Sequence, residues 1–228
     1  MGLAFPLPVK AVMIDLDGTL VDSIPDLAAA ANMMLAELGR PALDAELIRT
    51  FVGKGITNLV ERTLCGNMDG VADPGLMARA LPIYERCYTQ MNGRYTTIYP
   101  GVKAGLAALE EQAFPLACVT NKSMRFTQPL LEMVGLAGYF RKVVAGDTLA
   151  RKKPDPAPLL HACEAFRIAP RDMLMIGDSL NDTEAARAAG CPVFCVTYGY
   201  NEGRDVHTLD SDAVISTLQE AADLICKP

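Results

Sequence analysis

The rhythm of apolar and polar positions changes twice along this chain. Residues 9–14, VKAVMI, form a short apolar run rich in β-branched side chains that ends at Asp15, Asp17 and Gly18. Such a run predicts a buried strand opening into a turn. From Pro25 to Met91 the spacing is helical in four stretches: PDLAAAANMMLAELG, DAELIRTFVG, ITNLVERTLCG and LMARALPIYERCYTQM. Pro25 suits a first helical turn, Gly39 a helix stop and Asp44 a cap. Pro82 falls inside the fourth stretch and predicts a kink there, or a division into two helices. Beyond Tyr99 helices and strands alternate. Helix 101–113 precedes strand 115–120, helix 123–134 precedes strand 142–146, and helix 156–166 precedes strand 173–178. Helix 180–189 then precedes strand 192–197, and residues 213–215 lead into a terminal helix, 216–226.

Alternation of this kind predicts an α/β fold, a parallel-sheet Rossmann-like core covered by helices on both faces. The strand at 9–14 belongs to the same sheet. The core therefore spans 1–22 and 97–228, and residues 23–96 form a small all-α cap inserted after the first strand. Ligands of open α/β sheets sit at the carboxyl ends of the strands, which is where this insertion must hang.

Composition narrows the class. With 228 residues, half of them hydrophobic, the chain can bury one substantial core plus a smaller lobe. A formal net charge of -6, with no basic cluster beyond Arg151-Lys152-Lys153, argues against a nucleic-acid partner. The seven cysteines are odd in number and scattered, so they read as small hydrophobes in a reducing compartment. MGLAFPLPVK lacks the charge pattern of a signal peptide, Pro6 stands where a myristoylation signal wants Ser or Thr, and no run is long enough to span a membrane. The expectation is a cytoplasmic protein, a monomer or homodimer, whose partner is a small phosphorylated metabolite rather than a membrane.

That last expectation comes from the strand ends. Two unit charges ~4–5 Å apart near a protein surface repel by roughly 3–4 kcal/mol, so Asp15 and Asp17 ask for a metal ion, a shared proton, or both. In a parallel sheet they converge with Thr120 and Asn121, with Lys153, and with Asp178 and Asp182. Carboxylates, a hydroxyl and one lysine make a site for Mg²⁺ and a phosphate. The start of the helix at 123 offers backbone N–H groups to an anion, and Lys153 a point charge. Each residue alone has a plainer reading: Asp178 and Asp182 as helix N-terminal charges, Lys153 as a solvated loop lysine, Thr120 as a turn hydroxyl.

Together DLDGT (15–19), Thr120-Asn121, the Lys153 of KKPDP (152–156) and GDSLND (177–182) resemble the haloacid dehalogenase-like hydrolases with a helical cap after the first strand. The resemblance implies Asp15 as a nucleophile forming an aspartyl-phosphate and Asp17 as proton donor and then base. It implies Mg²⁺ on Asp15, the main-chain carbonyl of Asp17 and Asp178, with Asp182 helping to position it, and phosphoryl oxygens held at Thr120. True dehalogenases lack an acid at the position of Asp17, because a halide leaves without a proton, so this chain resembles the phosphoryl-transfer branch.

FVGKG (51–55) resembles the glycine-rich cap loop of phosphoglycolate phosphatases, which implies 2-phosphoglycolate as substrate; a Lys54 that points into the site would pair with a small carboxylate such as that of glycolate. The plainer reading of Gly53 and Gly55 is a helix–helix turn with Lys54 in solvent. Three other readings stay open: a phosphosugar mutase of the β-phosphoglucomutase type, a phosphonoacetaldehyde hydrolase, and a non-catalytic binding module.

Overall fold

The computed structural model describes residues 5–228, so residues 1–4 of the predicted core and N-terminal stretch lie outside the described residues. The chain begins with β1 (Leu7–Pro8) and β2 (Ala11–Ile14), then β3 (Val21–Asp22). Four helices follow: α1 (Ile24–Glu37), α2 (Ala45–Phe51), α3 (Ile56–Cys65) and α4 (Pro74–Met91). The chain then returns through β4 (Thr97–Ile98) to α5 (Val102–Glu111), β5 (Leu116–Val119), α6 (Met124–Met133) and β6 (Lys142–Val144). It ends with α7 (Ala157–Phe166), β7 (Met173–Gly177), α8 (Leu180–Ala189), β8 (Val193–Val196), β9 (Ala213–Ile215), α9 (Leu218–Asp223) and β10 (Ile225–Cys226).

Six strands make one parallel sheet in the order β6-β5-β2-β7-β8-β9. Alternation splits their apolar side chains between two layers. Val12, Ile14, Leu174 and Ile176 pack with Leu106 of α5 and Leu218 of α9 on one face. Ala11, Met13 and Met175 pack with Leu159 of α7 and Ala185 of α8 on the other. These side chains are inaccessible or nearly so, and each large one contributes ~1.5–3 kcal/mol of burial. β1 pairs with β10, tying the two ends of the described chain together.

Helices α1–α4 bury their own cluster around Met34, Phe51, Tyr84 and Tyr88, joined from the α/β side by Phe126 and Tyr200. The chain leaves for this module and returns from it through a two-stranded antiparallel ribbon, Val21 opposite Ile98 and Asp22 opposite Thr97.

Two expectations need correction. Pro82 does not divide its helix in two: α4 runs from Pro74 to Met91 with the proline inside it. Pro82 and Ala78 are both exposed, so water can take the carbonyl that the missing N–H leaves free. The terminal helix is also shorter than 216–226. Thr217 caps α9 by accepting from the Glu220 N–H, the helix ends at Asp223, and residues 225–226 pair as a strand instead.

Candidate active site

The strand order sets the site. β5, β2 and β7 lie side by side in the middle of the sheet, so the residues after them, Thr120, Asp15 and Asp178, meet at one edge. Lys153 reaches the same point from the loop after β6. Its Nζ lies 2.7 Å from the Val119 carbonyl, 2.7 Å from Asp182 Oδ1 and 3.0 Å from Asp15 Oδ1. Burial works against its charge, but Asp15 and Asp182 outweigh that and hold the ammonium above its usual range.

Asp15 is 9% exposed. Its Oδ1 accepts from the Leu16 N–H at 2.7 Å, and Oδ2 takes no hydrogen bond among the described residues. Burial pushes its carboxyl up to about 7, against the pull of Lys153. Asp178 is also held well above the usual carboxylate range, by burial first and then by the charges of Asp182 and Asp15. It accepts from the Thr19 hydroxyl at 3.1 Å and the Tyr200 N–H at 2.6 Å. Gly18 makes this packing possible: at φ +90° a side chain there would be strained, and its Cβ would run into the Asp178 carboxylate.

Asp182 is inaccessible and both its oxygens are committed. Oδ1 meets Lys153, while Oδ2 accepts from the Ser179 N–H at 3.1 Å and hydroxyl at 2.9 Å, closing a capping box at the start of α8. It therefore braces Lys153 and the Asp178 loop. Carboxylate oxygens of Asp15, Asp178 and Asp182 lie within 4.8 Å of one another, and Lys153 pairs with two of the three, Asp15 and Asp182. That leaves uncompensated negative charge in a buried, all-oxygen donor set, which fits a hard divalent cation such as Mg²⁺.

The strand ends at Ile14, and the chain then coils tightly, with Leu20 and Val21 N–H groups both donating to the Leu16 carbonyl. Asp15 and Asp17 consequently line one cavity yet meet different lysines. Asp17 accepts from the Ser23 hydroxyl at 2.6 Å, and Lys122 Nζ lies 3.0 Å and 3.2 Å from its two oxygens. Its carboxylate is thus turned away from the acidic cluster, leaving its main chain as what it can offer a metal there. Lys122 also donates to the Tyr88 hydroxyl of α4. Sequence pattern does not single it out, because a lysine just past a strand reads as solvated. Its adjacency to Thr120-Asn121 was the available signal.

Thr120 is buried beside the cavity, and its hydroxyl accepts from the Lys122 N–H at 3.2 Å. Asn121 also lines the cavity, and its amide donates to the carbonyls of Gly53 and Lys153, both at 2.8 Å, tying the loop between α2 and α3 to the sheet edge. The first N–H of α6 is also engaged, by Asp147 at 2.8 Å. Lys54 stands apart from the residues lining the cavity. Its ammonium faces Glu202 at 3.8 Å, and its side chain is 46% exposed. Gly53 and Gly55, both at positive φ, do line the cavity, and the residue between them projects the other way.

Known proteins are similar to this chain over nearly its whole length. The family model of the haloacid dehalogenase-like hydrolases matches residues 12–196. A protein from Nitrosospira multiformis named phosphoglycolate phosphatase is 60% identical over 98% of both chains, and one of the same name from Thiobacillus denitrificans is 54% identical over 98% of this chain and 99% of its own. A crystal structure from Haemophilus somnus, described as "a predicted phosphoglycolate phosphatase", superposes with a TM-score of 0.87 at 33% identity, over 93% of this chain and 96% of that one. The matched region runs from β2 to β8 and takes in every strand end that supplies the site. With strand order, buried acidic cluster and end-to-end similarity in agreement, the chain belongs to the haloacid dehalogenase-like hydrolases.

Proposed function

We propose that this protein hydrolyses 2-phosphoglycolate through an aspartyl-phosphate on Asp15. The observation that carries the reading is the state of Asp15: one oxygen is held by Lys153 and the Leu16 N–H, and the other is unengaged at a cavity that Asp17 also lines. The names of relatives 54% and 60% identical support the substrate.

In this reading Oδ2 of Asp15 attacks phosphorus, the bond from phosphorus to the glycolate oxygen breaks, and Asp17 gives that oxygen its proton. Asp17 then takes a proton from water as the water oxygen bonds to phosphorus. The bond between phosphorus and Oδ2 breaks, and inorganic phosphate and the Asp15 carboxylate result. Lys153 screens the approach of a dianionic phosphate to Asp15, Thr120 offers its hydroxyl to a phosphoryl oxygen, and Asp182 keeps Lys153 in place. Asp15, Asp178 and the main-chain carbonyl of Asp17 would hold Mg²⁺, which supplies Lewis-acid screening of the phosphate when bound. Residues 23–96 act as the cap over this chemistry. The seven unpaired cysteines support a reducing compartment, and we place the protein in the cytoplasm.

Phosphate release from 2-phosphoglycolate, hexose phosphates and p-nitrophenyl phosphate, with and without Mg²⁺, tests the reading. The expected result is metal-dependent release, highest with 2-phosphoglycolate and lost in Asp15→Asn at unchanged far-UV circular dichroism. Conversion of glucose 1-phosphate to glucose 6-phosphate without phosphate release, or appreciable turnover by Asp15→Asn, would overturn it.

A further inference from the structure

We infer that Lys122, with the hydroxyl of Tyr88, forms a receptor for the carboxylate of the substrate, the same receptor that engages the Asp17 carboxylate in this structure. The inference rests on the phosphoglycolate reading and adds the group that recognises the tail.

The argument begins with charge. A substrate carrying phosphate at one end and carboxylate at the other needs a second cation inside the cavity, away from Lys153. Of the residues lining it, Lys122 is the one cation, and its side chain is only 4% exposed. Much of the opposing wall is apolar, built by Leu27, Val52, Ile56 and Leu59, and offers a carboxylate nothing. The cationic side chains of the α2 to α3 region face elsewhere, Lys54 toward Glu202 and Arg49 toward Asp22.

Hydrogen-bonding capacity points the same way. An ammonium has three donors, and Lys122 spends them on Asp17 and the Tyr88 oxygen, with its Nζ 4.8 Å from the centre of the Tyr88 ring. Tyr88 accepts in that contact, so its own hydroxyl hydrogen is available, and no acceptor meets it among the described residues. An ammonium and a phenol side by side match the two oxygens of a carboxylate. The present occupant is itself a carboxylate, that of Asp17.

Connectivity sets the distance. The leaving oxygen of 2-phosphoglycolate must meet Asp17, and the carboxylate is attached one methylene away. Lys122 lies one hydrogen bond from Asp17, so a tail of that length reaches it. A carboxylate tail then draws Lys122 off Asp17 and frees Asp17 for the leaving oxygen. An ester with an uncharged tail leaves Lys122 where it is.

The test compares kcat/KM for 2-phosphoglycolate and ethyl phosphate in wild type, Lys122→Met and Lys122→Arg. The wild type is expected to prefer 2-phosphoglycolate. In Lys122→Met that preference falls about 10- to 100-fold, the worth of one or two charge-assisted hydrogen bonds, chiefly through KM. Lys122→Arg recovers part of it. If Lys122→Met melts below the assay temperature, Lys122→Gln is read in its place. A folded variant that keeps the wild-type preference overturns the carboxylate receptor and leaves the phosphatase reading standing. A wild type with no preference between the two esters overturns both.

Discussion

Asp26 and Thr96, seventy positions apart in sequence, are joined by a 2.6 Å hydrogen bond from the threonine hydroxyl to Oδ2 of the aspartate. The same inaccessible carboxylate accepts from the N–H groups of Gly93 and Tyr95 at 2.8 Å and of Thr96 at 3.2 Å. One side chain near the start of α1 thus holds the stretch by which the chain comes back from the helical module. Asp26→Ala removes the one acceptor shared by these four half-buried or exposed donors, at a cost of about 3 kcal/mol, while Thr96→Val costs about 1 kcal/mol. Urea midpoints of the two variants against wild type check both the sizes and the order.

Lys153→Met removes the one ammonium shared by Asp15 and Asp182. Breaking a buried pair from one side costs about 3–5 kcal/mol, because the stranded carboxylates stay out of water. The variant should unfold at markedly lower denaturant and release no phosphate. Wild-type stability would show that the loop carrying Lys153 relaxes and lets water in.

The raised carboxyls of Asp15 and Asp178 give a pH dependence of definite sign. An acid whose folded-state value lies above its unfolded value binds protons more tightly when folded. Its contribution is therefore complete below about pH 4 and is lost as pH rises through about 7, the value for Asp15. Over that window the metal-free protein should lose this contribution, and added Mg²⁺ should restore it by binding the deprotonated form. The gain in Tm on adding Mg²⁺ should grow from pH 5 to pH 8. A gain independent of pH would place the ion away from these carboxylates.

Lys54→Ala should change little. An ammonium 46% exposed and 3.8 Å from Glu202 contributes at most about 1 kcal/mol to stability, and it lies outside the cavity lining. KM for 2-phosphoglycolate and the urea midpoint should both stay close to wild type. A many-fold rise in KM would mean that the loop between α2 and α3 turns over when substrate binds.

The contrast between Lys153 and Lys122 explains how far the sequence could be read. Periodicity exposed each strand of the six-stranded sheet, because buried parallel strands must be continuously apolar. The residue after each strand then has a known place, so Asp15, Thr120 and Asp178 are gathered by the sequence pattern alone. What periodicity does not encode is rotamer and partner. Nothing along the chain says that Asp17 turns to Lys122, that both oxygens of Asp182 are spoken for, that Lys54 faces outward, or that Asn121 serves as a tie. Those facts depend on which of several polar neighbours a side chain meets once the loops have packed. Pro82 makes the same point for a backbone: the residue forbids one hydrogen bond, and only its exposed surroundings decide that the helix survives.

The ribbon of β3 and β4 has one more consequence. Because Val21 pairs with Ile98 and Asp22 with Thr97, the two cut points of the helical module are neighbours, like the prongs of a plug. Whatever is spliced between them sees the same socket, and the wiring of the six-stranded sheet is untouched. Another insert can thus be carried by the same sheet, provided that it still meets Lys122 at the sheet edge as Tyr88 does.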